Sequence, residues 1–379
     1  AYGYSLRDYS IFMMGGTAKT EQSLEVVRDL LLSQLERVKA ADFPDELIPS
    51  VIRNNKVDQL EQLEYNFLRT DLMSDAFIMG VEWDEYLARL DSSNHISKQR
   101  LADWAKSRFS NNHSVVYKKT GEDTATHKVD KPQITAIDIN RDSQSEFYTA
   151  IDSMESLRLK PEFVNFERDL AIKELQDGVT FYHVSNTTND LFRLFFELDE
   201  DLKNDPKVRF ALEYLSFLGT DSLSSEEIKE ELYSLGVRFN TNASSWKVYA
   251  TLSGLEESFD SGLTLLEHLM RNAVADQEAL DNMVADKMKE REDNKKSKWQ
   301  IMSGLREYAK GGSENSFNNQ LSVEEMQALT AEELVQIIGG IMNHPHRVFY
   351  YGKSSVDDAF AKVKQQHILP KTLLKVDNP

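Results

Sequence analysis

The chain has 379 residues, 40% of them hydrophobic and 10% aromatic, and its 63 acidic against 44 basic side chains give a net charge of −19. Such a composition excludes global disorder, and the length exceeds the roughly 250–300 residues at which a single core stops growing. Lys and Arg are dispersed among acids, which excludes nucleic acid as a partner because a phosphate backbone needs concentrated positive charge. Zero cysteines exclude disulfides, thiolate catalysis and Cys-based metal sites, and suit an exported or periplasmic setting as well as the cytoplasm. No run approaches the ~20 apolar residues of a membrane span. The opening AYGYSLRDYS lacks the basic-then-apolar pattern of a signal peptide, so the sequence reads as a mature chain or as a piece of a longer one.

In chain order, a strand is predicted near 9–14. A helix follows, with Thr20 as its N-cap and Leu24, Val27, Leu31, Leu35 and Val38 on one face. Pro44 suits the first turn of a second helix that runs through Leu60, Leu63 and Phe67. A short helix is predicted over 96–109, then an Asn111-Asn112 turn and a strand over 114–118. Residues 121–164 are polar, contain Pro132 and lack sustained periodicity, as an extended linker would. Strands are expected over 170–175, 180–185 and 191–198, the first two joined by a Gln176-Asp177-Gly178 turn. Asp205 and Pro206 open a helix over 206–218 that Gly219 would close in a left-handed cap. A strand near 248–252 follows, and the tail beyond Gly352 has one short helix, Val356–Gln366.

Two segments recur. EQSLEVVRDLLLSQL at 21–35 aligns without gaps on EESFDSGLTLLEHLM at 256–270, a shift of 235. ISKQRLADWAKSRFSNNHSVVYKK at 96–119 aligns on LTAEELVQIIGGIMNHPHRVFYYG at 329–352, a shift of 233. Two matches in one order at nearly one shift imply an internal duplication. The first copy looks like the back part of a module, and the second is nearly complete. Four regions result: 1–120 as the latter half of a module, 121–164 as linker, 165–355 as the second module, and 356–379 as tail.

The chemistry-bearing candidate is FALEYLSFLGT at 210–220, followed by SSEEIKEELYSLGVRFNTNASSWKVYATLSGLEESFDSGLTLLEHLM. This stretch resembles the pitrilysin/insulinase family of zinc metallopeptidases, whose zinc helix carries H-x-x-E-H and runs on to a phenylalanine and a Gly-Thr. Placed on that ending, Phe210 and Tyr214 stand at the two histidine positions and Glu213 at the catalytic glutamate. Residues four apart share a helical face, so two imidazoles there can hold a zinc while the glutamate activates bound water. Phe210 has no lone pair to donate, and Tyr214 could ligate only as a phenolate. The family's third ligand, a glutamate on a later helix, corresponds to Glu290 or Glu292. With both histidines replaced, the resemblance implies a degenerate site, with no catalytic residue, metal or cofactor in this chain.

The resemblance covers most of the chain and implies an α+β fold of two homologous partial modules, each an antiparallel sheet with helices packed on one face. Long members of the family contain four such modules in two halves that enclose a chamber, and only the first carries zinc. It therefore implies a non-catalytic region of a peptide-degrading hydrolase, with the remaining modules of the same polypeptide and a peptide substrate as partners. Zinc would reside in another module. The alternative is a scaffold or binding subunit without peptidase activity, as in the core proteins of respiratory complexes that share this fold. Other motifs are read blandly: His268 as a boundary residue, His344-Pro345-His346 as a polar turn, Gly311-Gly312 as a loop, and Gly339-Gly340 as close packing in a helix.

Overall fold

A computed structural model describes residues 1–374 apart from 6–7, 20–21, 120, 122–129, 136–139, 157–159, 199–201, 203–204, 244–246, 314 and 316. The chain opens with a hairpin of β1 (Tyr2–Ser5) and β2 (Ser10–Met13), then α1 (Leu24–Lys39), α2 (Leu47–Glu64), α3 (Asn66–Met79), α4 (Trp83–Ser93) and α5 (Lys98–Arg108). Thr20 lies outside the described residues. The cap of α1 is Ser23, whose hydroxyl accepts from the Val26 N–H at 3.2 Å. Pro44 lies ahead of α2 rather than in its first turn, and the helix stops at Tyr65, where ψ is 121°, so that Phe67 belongs to α3. α5 packs on α1, and its Ala102 and Ala105 are fully buried.

No ladder forms over 114–118 among the described residues, so the predicted strand there is not one. The corresponding residues 346–352 pair with a strand on each side, whereas 114–118 pair with none among the described residues. Tyr117 instead accepts a hydrogen bond from Arg28 at 3.1 Å, and Val116 is 90% exposed. Past two short helices, α6 (Glu146–Asp152) and α7 (Phe166–Asp169), the second copy begins.

Its elements are β3 (Ala171–Gln176), β4 (Val179–Ser185), β5 (Leu191–Leu198), α8 (Pro206–Tyr214), α9 (Ser225–Leu235), β6 (Val237–Ala243), β7 (Val248–Leu255), α10 (Phe259–Asn272), α11 (Gln277–Asn294), α12 (Lys298–Gly311), α13 (Val323–Gln327), α14 (Ala331–Ile341), β8 (His346–Gly352) and α15 (Val356–Gln366). Among the described residues six strands form one sheet in the order β3-β4-β8-β5-β7-β6, antiparallel throughout except for the parallel pair β4–β8. The architecture is α+β, with a largely antiparallel sheet. β4, β5, β7 and β8 alternate buried and half-buried residues, the pattern of a sheet covered on one face. On the covered face Phe259 of α10 packs its ring 5.1 Å from Phe192 and 5.0 Å from Tyr350.

The repeat offsets reappear in the helices. α1 starts at Leu24 and α10 at Phe259, 235 residues on, and α5 and α14 differ by 233 at both ends. As α1 packs on α5, so α10 packs on α14. The tail helix α15 has the bounds read from the sequence, but it lies on β3, β4 and α10 with Ala359 and Val363 fully buried, so it is part of the second body.

α2 packs against α9 and β5. Val57, fully buried, sits against Leu191 and Leu255, and Leu60 packs beside it. Around this contact Arg238 pairs with Asp58 at 2.5 Å and Glu61 at 2.7 Å, Arg193 with Glu64 at 2.5 Å, and Arg53 donates to the Ser234 carbonyl at the end of α9. These ion pairs are partly exposed and each contributes little; the apolar plug decides the docking. Val57→Asp should therefore cost about 2–4 kcal/mol by burying an unpaired carboxylate. The check is hydrogen exchange across α2 and α9: unchanged protection would refute the assignment of Val57 as the plug.

Candidate functional site

Asp205 caps α8 by accepting from the Lys207 N–H at 2.8 Å, with Pro206 in the first turn. The helix does not continue to 218. It stops at Tyr214 and tightens into a 3-10 turn over Leu215–Phe217. Gly219 does not have positive φ, so it is no left-handed cap. It is small for another reason: a Cβ there would stand 2.5 Å from the Leu223 carbonyl oxygen, which accepts from the Thr220 N–H in a tight loop. The left-handed cap belongs to Gly236 at the end of α9, where φ is 62°.

The three zinc-frame positions do not converge. Phe210 and Tyr214 are 7% and 0% exposed and belong to the core. The Tyr214 hydroxyl donates to the Asp276 carbonyl at 2.7 Å and accepts from the Asp276 N–H at 2.9 Å, tying α8 to the N-cap of α11. Burial pushes the Tyr214 phenol above its ordinary value, which further disfavours the phenolate a metal would need. Glu213 is turned outward and holds the Lys287 ammonium at 2.8 Å.

Of the two third-ligand candidates, the structure brings up Glu290, 3.6 Å from the same ammonium, whereas Glu292 pairs with Lys295 at 2.5 Å. Burial pulls the Lys287 ammonium down, but the hydrogen bond and charge of Glu213, and then Glu290, outweigh it and raise its pKa. The Lys295 hydrogen bond holds Glu292 below the usual carboxylate range. A lysine from α11 thus supplies positive charge between the two carboxylates. A phenyl ring, a phenol committed to backbone and a lysine-paired carboxylate do not fit a zinc ion. No group of three or more His, Asp or Glu among the described residues could hold a metal.

Beside this helix lies an open cleft of about 420 Å³, lined by the apolar Leu212, Phe217, Phe239 and Met283 and by the charged Glu213, Asp286, Lys287 and Glu290. Its lining includes Asn240 and Thr241 of β6, the last strand of the sheet, whose single partner among the described residues is β7. β6 was missed in the sequence because its inward residues, Val237, Phe239 and Thr241, alternate with arginine and asparagine over one short run.

The histidines also differ from their sequence reading. His268 is a boundary residue, 3.0 Å from the Thr220 and Ser222 hydroxyls. His346 is not in a polar turn: it starts β8, is 4% exposed, and lies 2.9 Å from His367, whose other ring nitrogen is 2.6 Å from Glu267. Neither His367 nor Glu267 was singled out in the sequence. The available signal was a carboxylate among Leu263, Leu266 and Met270 on the buried stripe of α10. Gly339 and Gly340 meet nothing within 4 Å where a Cβ would stand, so close packing does not explain them.

No protein-family model matches the chain, and no curated protein matches it. Among solved structures it is similar to a peptidase M16 inactive domain from Pseudomonas fluorescens, with 17% identity over 56% of this chain and 54% of that one and a TM-score of 0.47. It is similar as well to the first half of the periplasmic protease PqqL from Escherichia coli, with 15% identity over 56% of this chain and 49% of that one and a TM-score of 0.46. Against the periplasmic protease PqqL of the same organism, 89% of this chain matches 40% of that chain at 12% identity and a TM-score of 0.46. The chain spans about half the length of the first of these structures.

Proposed function

We propose that this chain is a non-catalytic region of a zinc metallopeptidase of the pitrilysin/insulinase type, built from two partial modules joined by the 121–164 linker. It helps to enclose a substrate chamber and contributes to peptide binding. The observation that carries the reading is the state of the zinc-helix frame. Phe210 and Tyr214 are buried, and Glu213 is committed to Lys287 beside an apolar cleft and the open edge of β6. An unpaired strand edge offers backbone donors and acceptors to an extended peptide, and an adjacent apolar cleft receives its side chains. Proton transfer and metal activation have no residues assigned to them here; in this reading they belong to another module of the same polypeptide.

The test uses the purified chain with a quenched peptide and elemental analysis. The expected result is peptide binding without cleavage and no stoichiometric zinc, with Phe239→Asp weakening the peptide at least about tenfold by placing a charge in the cleft. Chelator-sensitive cleavage or one tightly held zinc per chain would sink the non-catalytic assignment. Absence of any peptide binding would favour the scaffold subunit instead.

A further inference from the structure

The buried contact between His346 and His367 has a proton count that its surroundings dictate. His346 Nδ1 lies 2.7 Å from the His344 carbonyl oxygen, which can only accept, so this nitrogen carries a proton. His367 Nδ1 lies 2.6 Å from Glu267 Oε1, while the Arg271 guanidinium donates to Glu267 Oε2 at 2.9 Å, so that both oxygens of this group serve as acceptors. His367 Nδ1 is therefore a donor as well. The two Nε2 atoms face each other at 2.9 Å, and that contact is a hydrogen bond only if one of them is protonated and the other is not. Three protons on four ring nitrogens make one imidazole and one imidazolium, the latter balanced by Glu267.

A fourth proton would set N–H against N–H at 2.9 Å between rings that are 4% and 3% exposed. Among the described residues, the charged and titratable groups recorded against the pair are Glu267 and Arg271 from α10 and His344 from the turn before β8. β5 offers the uncharged Phe196 ring, 5.1 Å from His367, and β4 places Val179 opposite His346. None of these could neutralise a second imidazolium.

The pair also has a mechanical position. His367 is the first residue of the strap that leaves α15 and crosses the end of the β3–β4 hairpin. Arg271 donates to the Ile368 carbonyl at 2.9 Å, Gln176 to the Pro370 carbonyl at 3.1 Å, and the Leu374 N–H to the Asn343 carbonyl at 2.8 Å. Leu369 and Leu373 pack on the core beneath. We propose that His346 and His367 form a one-proton latch that fastens the strap over 367–374 near neutral pH and lets it go when a second proton binds. Burial first, and then the charge of His367, hold His346 down at about 4. Because this folded value lies below the ordinary 6.5, the neutral ring stabilises the closed form. That contribution is full above about pH 6.5 and is lost as pH falls from there through about 4.

The experiment compares the wild-type chain with His346→Gln, whose amide oxygen can accept from His367 but cannot take a proton. Amide exchange over 367–374, corrected for intrinsic rate, should lose at least about tenfold in protection between pH 7 and about pH 4.5 in the wild type, while the sheet stays protected. In His346→Gln the strap should remain protected at the lower pH. Nitrogen NMR of the wild-type imidazoles should show three protonated ring nitrogens in the pair at neutral pH. The latch is overturned if the variant loses strap protection in step with the wild type, or if the strap opens only together with the whole sheet. Two or four protonated nitrogens at neutral pH would overturn it as well, even if the variant did not fold.

Discussion

Phe259→Ala should lower stability by about 3–5 kcal/mol, the largest loss expected from any single truncation described here. Phe259 is the first residue of α10 and is fully buried, with its ring against Phe192 of β5 and Tyr350 of β8. Those strands are neighbours in the middle of the sheet, so the neighbouring rings are held by ladders on both sides and cannot close over the space left behind. The transfer term and the cavity term then add. Denaturant midpoints at constant slope measure it, and a loss below about 1 kcal/mol would mean that this site collapses freely.

Glu256→Ala comes next, at about 2–3 kcal/mol, through hydrogen bonds rather than volume. This carboxylate stands at the start of the turn from β7 into α10 and gathers donors from the turn between β8 and α15. The Tyr350 hydroxyl donates at 2.5 Å, the Ser354 hydroxyl at 2.6 Å, and the Lys353 and Ser354 N–H groups at 2.9 and 3.1 Å. Tyr350 is 1% exposed, and its phenol is pushed well above its ordinary value by burial and then by the Glu256 hydrogen bond. Removing the acceptor strands that hydroxyl in the core, whereas Tyr350→Phe removes donor and obligation together. In a double-mutant cycle, Glu256→Ala should therefore cost less in the Tyr350→Phe background by at least about 1 kcal/mol. Strict additivity would show that the hydroxyl finds another partner.

What could be read in the sequence was whatever a short window contains. The Leu191–Leu198 strand, the Val356–Gln366 helix and the offsets shared by α1 with α10 and α5 with α14 all follow from periodicity and caps within a dozen residues. Gly219 was misread because a glycine after a helix has two local explanations, a left-handed cap or a close backbone approach, and only the loop returning through Leu223 decides between them. The 114–118 strand failed for a related reason: its β-rich residues are real, but a ladder needs partners that the window does not contain. At the candidate site, the identities of Phe210, Glu213 and Tyr214 were legible. The placement of Lys287 between Glu213 and Glu290 was not, since it joins helices more than 70 residues apart in sequence. His367 and Glu267 are separated by 100 residues and were likewise invisible until the fold brought them together.

The strand order has a consequence for assembly. β8, near the end of the described chain, lies between β4 and β5 and pairs with both. Until residues 346–352 have been synthesised, the second module can form only two separate ribbons, β3–β4 and β5–β7–β6, each with a bare inner edge. The sheet closes last and at its centre, like a keystone, some 150 residues of chain after β5. A chain stopped short of His346 would therefore be left as two open half-sheets, each an invitation to edge-to-edge aggregation.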